Sequence, residues 1–150
     1  IKFRKANFID PKTLEQKLKL QREIGEIGEC IAFEYEINRV RKTGVRNPEK
    51  YVELTAKINS SAGFDISCLV KKKNRFIEVK SSLNSNLDFF ITENEYHTLD
   101  QLGDEAFIYL VHITNLVEKT GKVFRTIRNP IEELKLNGNL KPIAYKATLR

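Results

Sequence analysis

Gly63-Phe64-Asp65-Ile66-Ser67-Cys68-Leu69-Val70, then Lys71-Lys72-Lys73-Asn74, then Arg75-Phe76-Ile77-Glu78-Val79-Lys80-Ser81 carry the clearest strand signal in the chain. Two runs rich in β-branched and aromatic residues flank a polar tetrad, the pattern of two strands joined by a turn. Side chains alternate faces along a strand, so Glu78 and Lys80 point to one side while Ile77 and Val79 point to the other. With Lys71 to Asn74 as the turn, Val70 pairs with Arg75, Asp65 stands opposite Lys80, and Glu78 lies diagonal to Asp65. Three charged groups then share one face. Phe64, Ile66, Cys68, Val70, Ile77 and Val79 share the other, which is expected to be core. A turn of odd length would separate the three charges.

Two carboxylates held close together repel, which raises at least one pKa unless a cation sits between them. Asp65 and Glu78 are therefore the expected ligands of a hard divalent metal, magnesium or manganese in its place. Such an ion acidifies water and stabilises the charge that develops on a phosphate undergoing substitution. Lys80 has two roles open to it, orienting an attacking water or neutralising a phosphate oxyanion. The same three charges could also form a solvated cross-strand lattice worth little in stability.

Outward from the hairpin, the pattern alternates helix and strand. Pro11 suits the first turn of a helix, with Asp10 available as its cap and Ile1 to Asp10 as a preceding arm. Leu14, Leu18, Ile24, Ile27, Ile31 and Tyr35 recur at helical spacing, and Lys42-Thr43-Gly44 supplies the stop. Gly25 and Gly28 cost helix stability but allow another backbone to come close. Tyr51 to Ile58 is expected as a strand, Asn59 to Gly63 as a loop. Thr92 with Glu95 three residues on is the reciprocal capping pattern and opens a helix through Leu102, ended by Gly103-Asp104. Ala106 to Ile113 reads as an interior strand, with Lys122 to Ile127 its hairpin neighbour across Thr120-Gly121, and Pro130 to Leu136 as a short helix. Phe89, Phe90, Phe107, Tyr109 and Phe124 recur at strand spacing and are expected to be core or sheet faces before base-stacking platforms. His97 and His112 carry no ligand signal. This alternation predicts an α/β fold, a mixed β-sheet flanked by helices, as one domain over residues 1–150 with its core at about residues 11–128.

The chain has 150 residues, 41% hydrophobic and 31% charged, enough for one sizeable core. Lys and Arg outnumber Asp and Glu by 26 to 20, and the net charge of +6 favours polyanionic partners. Lys71-Lys72-Lys73 reads first as a solvated turn and second as a phosphate contact. Cys30 and Cys68 are too few and too poorly spaced for a disulfide framework or a zinc site, and both are expected to be buried in a reducing, cytoplasmic setting. No run reaches the roughly 18 apolar residues of a membrane helix. The chain starts at Ile1 and contains no Met, which suggests a piece of a larger polypeptide. It lacks a phosphate-binding glycine loop followed by Lys, which excludes an NTPase of that type.

The pattern Gly63-Phe64-Asp65 followed by Glu78-Val79-Lys80-Ser81 resembles the signature of the PD-(D/E)xK phosphodiesterase superfamily, with Phe64-Asp65 in place of the literal Pro-Asp. More narrowly, Gly28-Glu29, the Gly-Phe-Asp strand, the run Ile77 to Ser82 and the segment Phe89 to Tyr96 are similar to the domain found at the C-terminus of the plant protein NO VEIN and in bacterial restriction-associated proteins. That resemblance covers roughly Ile24 to Ile113. It implies a restriction-endonuclease-like core, magnesium-dependent cutting of phosphodiester bonds, Asp65 and Glu78 as metal ligands, Lys80 as the catalytic lysine, and Glu29 as the acidic residue of the first core helix. The expectation is a DNA endonuclease domain of a bacterial restriction or defence protein, with specificity or ATPase domains elsewhere in the polypeptide. RNA as substrate and a homodimer are left open. The alternative is a non-catalytic nucleic-acid-binding or assembly module attached to a helicase or ATPase.

Overall fold

A computed structural model describes residues 10–59 and 61–150. The expected arm Ile1 to Asp10 falls outside them save for Asp10 itself, as does Ser60 of the expected loop. Helix α1 runs Pro11–Lys42, with Pro at its first turn and Arg39, Arg41 and Lys42 in its last, where cations complement the helix dipole. Asp10 caps it through its backbone, its carbonyl accepting from Leu14 N at 2.9 Å; its side chain makes no capping bond. The apolar stripe of α1 docks only from Ile24 onward. Leu14 and Leu18, expected on that buried face, are 43% and 50% exposed, and residues 11–23 are exposed throughout, none of the described sheet covering them.

Among the described residues five strands form one sheet in chain order: β1 Val52–Leu54, β2 Ile66–Cys68, β3 Arg75–Ser82, β4 Ala106–Asn115 and β5 Thr120–Arg128. Neighbours pair antiparallel except β3 and β4, which are parallel. A parallel pair needs a crossover, and helix α2, Glu93–Leu102, supplies it. Helix α3, Pro130–Asn137, follows β5. The expected strand Tyr51 to Ile58 is a three-residue β1 followed by a 3-10 turn over Thr55–Lys57. Ala56 N in that turn bonds Asp65 O at 3.2 Å, so the segment bends to meet the loop before β2.

The hairpin forms, but in another register. Cys68 pairs with Arg75 and Ile66 with Ile77, a slip of two residues from the expected pairing of Val70 with Arg75. Leu69 is drawn away by the β1 side, its N donating to Tyr51 O at 2.8 Å. Val70 is spent on closing the turn, its carbonyl accepting from Lys73 N at 2.8 Å, with Lys72 in the left-handed region at φ 67°. An even slip keeps the alternation of faces, so the three charges still converge, although Phe64 leaves its expected core face for Phe76.

Two apolar layers sandwich the sheet. On one face α1 contributes Ile27, Ala32, Ile37 and Val40 against Ile66, Cys68, Ile77, Val79, Tyr109 and Val111. On the other, Leu99 of α2 and Ile131 of α3 pack on Ala106, Ile108 and Leu110. Each fully buried Ile or Leu here is worth about 1.5–3 kcal/mol. Gly28 sets how closely α1 approaches: a Cβ there would collide with the Ser81 hydroxyl and stand 2.6 Å from Ser81 Cβ. Gly25, expected to serve the same end, faces open space. Phe64 is not in the core; it packs edge-on against Phe76 with ring centroids 5.1 Å apart. Phe90 is exposed, while Phe107 and Tyr109 are buried as expected. Cys68 is buried and Cys30 exposed, because α1 turns Cys30 away from the sheet between Ile27 and Ile31. Among the described residues no helix is long and apolar enough to cross a membrane.

Candidate active site

Glu78 and Lys80 leave β3 on the face covered by α2 and α3, beside Ile108 and Leu110 of β4. Continuing the β2–β3 register past Ile66 and Ile77 puts Asp65 opposite Glu78, with Lys80 diagonal. β2 has already ended there, and the Asp65 side chain does what a strand carbonyl would have done: Oδ2 accepts from Val79 N at 2.8 Å. Asp65 N in turn donates to Ile77 O at 2.8 Å. The carboxylate is thus fixed to the backbone of the strand that carries its partners. Gly63, two residues earlier, has φ 81°, a left-handed value, and lies so close against Thr98 of α2 that a side chain there would overlap the threonine.

Lys80 Nζ lies 3.2 Å from Glu78 Oε1 and 2.7 Å from Glu95 Oε2. Glu95 is the third residue of α2, and the capping box predicted from Thr92 and Glu95 is present. Thr92 Oγ1 accepts from Glu95 N at 3.2 Å, while Glu95 Oε2 accepts from Thr92 N at 3.0 Å. One oxygen therefore serves both the cap and the lysine. Lys80 has three N–H donors, and these two carboxylates take two of them. The remaining donor is available to a ligand, with about 18% of the side chain exposed.

Three carboxylates and one ammonium in a largely buried cluster cannot all be ionised without cost. Burial, and then the Asp65 charge, push Glu78 up to about 9, so its carboxyl is protonated at neutral pH in the metal-free protein. Burial likewise lifts Asp65 above the usual range, against the pull of the Val79 amide and Lys80. Burial would raise Glu95 too, but the hydrogen bonds from Lys80 and Thr92 outweigh it and hold Glu95 below the ordinary carboxylate value. For Lys80, burial is overcome by Glu78 and Glu95, which keep the amine above the ordinary lysine value and therefore charged. A proton on Glu78 and charge on Glu95 and Lys80 is the state these directions describe together.

Among the described residues no group of three or more His, Cys, Asp and Glu side chains is set to hold a metal ion. Of the three carboxylates on this face Glu95 is engaged by Lys80 and Thr92, so Asp65 and Glu78 are the set that would hold an ion. That set fits magnesium, which typically takes one or two carboxylates and keeps several waters. Of the residues expected at the site, Asp65, Glu78 and Lys80 come together. Glu29 is carried by α1, which packs on the opposite face of the sheet, and is half-buried beside a cleft lined also by Arg22, Glu26, Ala56 and Lys119. In the sequence Glu95 carries one signal, its place three residues after Thr92, which marks a cap and not a partner of Lys80. Ser81 turns towards Gly28, its hydroxyl buried without a hydrogen-bond partner among the described residues, so it faces away from the carboxylates.

A family model described as Protein NO VEIN, C-terminal matches residues 28–126. No curated protein and no solved structure matches.

Proposed function

Because that match spans well over half of its length, the chain belongs to the family of the Protein NO VEIN C-terminal domain, and from that premise we propose that it is a metal-dependent DNA endonuclease domain of the PD-(D/E)xK type. The observation that carries the reading is the pairing of the Asp65 and Glu78 carboxylates beside the charged Lys80, with Glu78 pushed up to about 9. A proton held so tightly between buried acids marks a place that a divalent cation satisfies better. Asp65 and Glu78 would hold the ion, which when bound acidifies water and offsets the charge developing on a phosphate. Asp65 presents its carboxylate in a fixed pose through Val79 N. As a ligand Glu78 would give up its proton to solvent. Lys80, remaining an ammonium, acts as a hydrogen-bond donor and counter-charge to a phosphate oxygen and not as a base. Glu95 positions Lys80. The basic net charge draws the polyanionic substrate.

A second reading keeps the fold and drops the chemistry. Lys80 is engaged by two carboxylates, which is also how a purely structural ion pair is built. The chain would then be a nucleic-acid-binding or assembly module of a larger ATPase. Incubation with supercoiled plasmid in magnesium, then manganese, separates the two. Nicking that falls about 10²–10⁴-fold in Asp65→Asn and Lys80→Met, with plasmid binding kept, supports the enzyme. Nicking unaffected by either substitution ends the assignment, and salt-dependent binding with no cleavage in either metal favours the module.

A further inference from the structure

At the other end of β3 from Lys80 the chain gathers cations around a separate concavity. Arg39 of α1, Lys72 and Lys73 of the β2–β3 turn, Arg75 at the start of β3 and Arg128 at the end of β5 line a cleft of about 670 Å³. Asp104 and Glu105 line it too. Of the five cations, Arg39 alone has an ion-pair partner among the described residues, the buried Glu36 at 2.5 Å. Arg128 Nε donates to the Asp104 carbonyl at 3.0 Å, and the Asp104 carboxylate is engaged by Asn129 Nδ2 at 3.2 Å. Five cations against the carboxylates of Asp104, Glu105 and the buried Glu36 leave the hollow with an excess of positive charge that favours an anion there.

The cleft is also built from beneath. Glu36 is 0% exposed, and the proposed chemistry makes no use of it. It accepts from Arg39 Nε at 2.9 Å and from the Tyr109 hydroxyl at 2.6 Å. That hydroxyl accepts in turn from Arg75 Nη1 at 3.1 Å, and the Arg75 guanidinium is stacked 4.1 Å over the Phe107 ring. One buried carboxylate thus anchors two guanidiniums in the cleft wall. Arg75 retains donors with no acceptor among the described residues, in the planar fork that matches phosphate oxygens. Holding a charge in the interior is costly, and an anchor of this kind gives a reason to keep it.

We propose that this cleft is a phosphate-binding site separate from the Asp65, Glu78 and Lys80 centre, taking the phosphate group of a nucleic-acid strand or of a free nucleotide. It stands independently of the nuclease reading. The test is the double variant Lys72→Asn with Lys73→Gln, Asn being chosen because Lys72 holds a left-handed φ of 67° that Asn tolerates. The control, Lys17→Gln with Lys19→Gln, removes the same charge from the exposed start of α1. Binding of a short labelled duplex is followed by anisotropy across a salt series, and binding of ATP without metal by calorimetry. Two lost phosphate contacts lower the slope of log affinity against log salt by roughly 1.8 in the cleft variant, at about 0.9 per contact. That change, with the control close to wild type, supports the site and a strand as its source. ATP binding weakened in the cleft variant while the duplex slope holds supports the site and a free nucleotide. Cleft and control variants that behave alike towards both probes overturn the proposal.

Discussion

Glu78→Gln replaces a buried carboxyl by its neutral isostere and should make the metal-free protein more stable than wild type in a pH-dependent way. The carboxyl titrates near 9 in the folded chain against an ordinary value of 4.5. Between those two pH values the folded protein keeps a proton that the unfolded chain has released. Stability from this group is therefore complete below about pH 4.5 and is lost as pH rises through about 9. The slope is about 1.4 kcal/mol per pH unit within that window. Gln does not titrate, so groups outside the cluster cancel and the stability difference reports Glu78 with the readjustment of Asp65, Glu95 and Lys80 around it. Urea unfolding followed by circular dichroism at pH 5, 6, 7 and 8, with a chelator present, should show the Gln variant gaining on wild type by about 1.4 kcal/mol per unit. Curves that stay parallel within a few tenths of a kcal/mol would refute the raised pKa, and with it the argument that this face is poised for a cation. Magnesium should reverse the order: wild type is stabilised by the ion, increasingly so towards higher pH because binding expels a proton, while Glu78→Gln gains nothing.

The remaining predictions test the frame around the site. Gly28→Ala gains about 1 kcal/mol of helix propensity but forces α1 off Ser81 at about 1–3 kcal/mol, so a net loss of about 1 kcal/mol is expected in the same urea assay. Thr92→Ala removes the cap of α2 and should cost about 1 kcal/mol while leaving plasmid nicking near wild type. Glu95→Gln should lower nicking more than it lowers stability, because Lys80 loses its closest counter-charge. Glu36→Gln breaks a buried pair and should cost about 3–5 kcal/mol. Burial raises the Glu36 pKa, but the bonds from Arg39 and Tyr109 more than offset this and hold it below its ordinary value, so the wild-type advantage over that variant should fade as pH drops below 4.5, opposite in sign to Glu78.

Where local chemistry decides an element, the amino-acid order revealed it. Pro11 and the Thr92 and Glu95 pair mark helix starts that the structure keeps, and the alternation across Ile77, Glu78, Val79 and Lys80 assigns each side chain its face. What stayed hidden depends on partners distant in sequence. The β2–β3 register hangs on Leu69 reaching back to Tyr51, an attachment invisible from the hairpin alone. The error did not disturb the convergence, since a slip of two preserves the faces. Glu95 could be placed at the third position of α2, but its approach to Lys80 depends on how the crossover lays that helix against the sheet. Cys30 misled for a simpler reason. Apolar neighbours in sequence surround it, yet at about 100° per residue they lie on a different side of the helix.

Crystals soaked in manganese and measured at its absorption edge would locate the cation. An anomalous peak is expected between the Asp65 and Glu78 carboxylates, within about 2.0–2.4 Å of an oxygen from each, and it should disappear in Glu78→Gln. A saturating soak that leaves that position empty, or a peak held by other residues alone, would contradict Asp65 and Glu78 as the metal ligands.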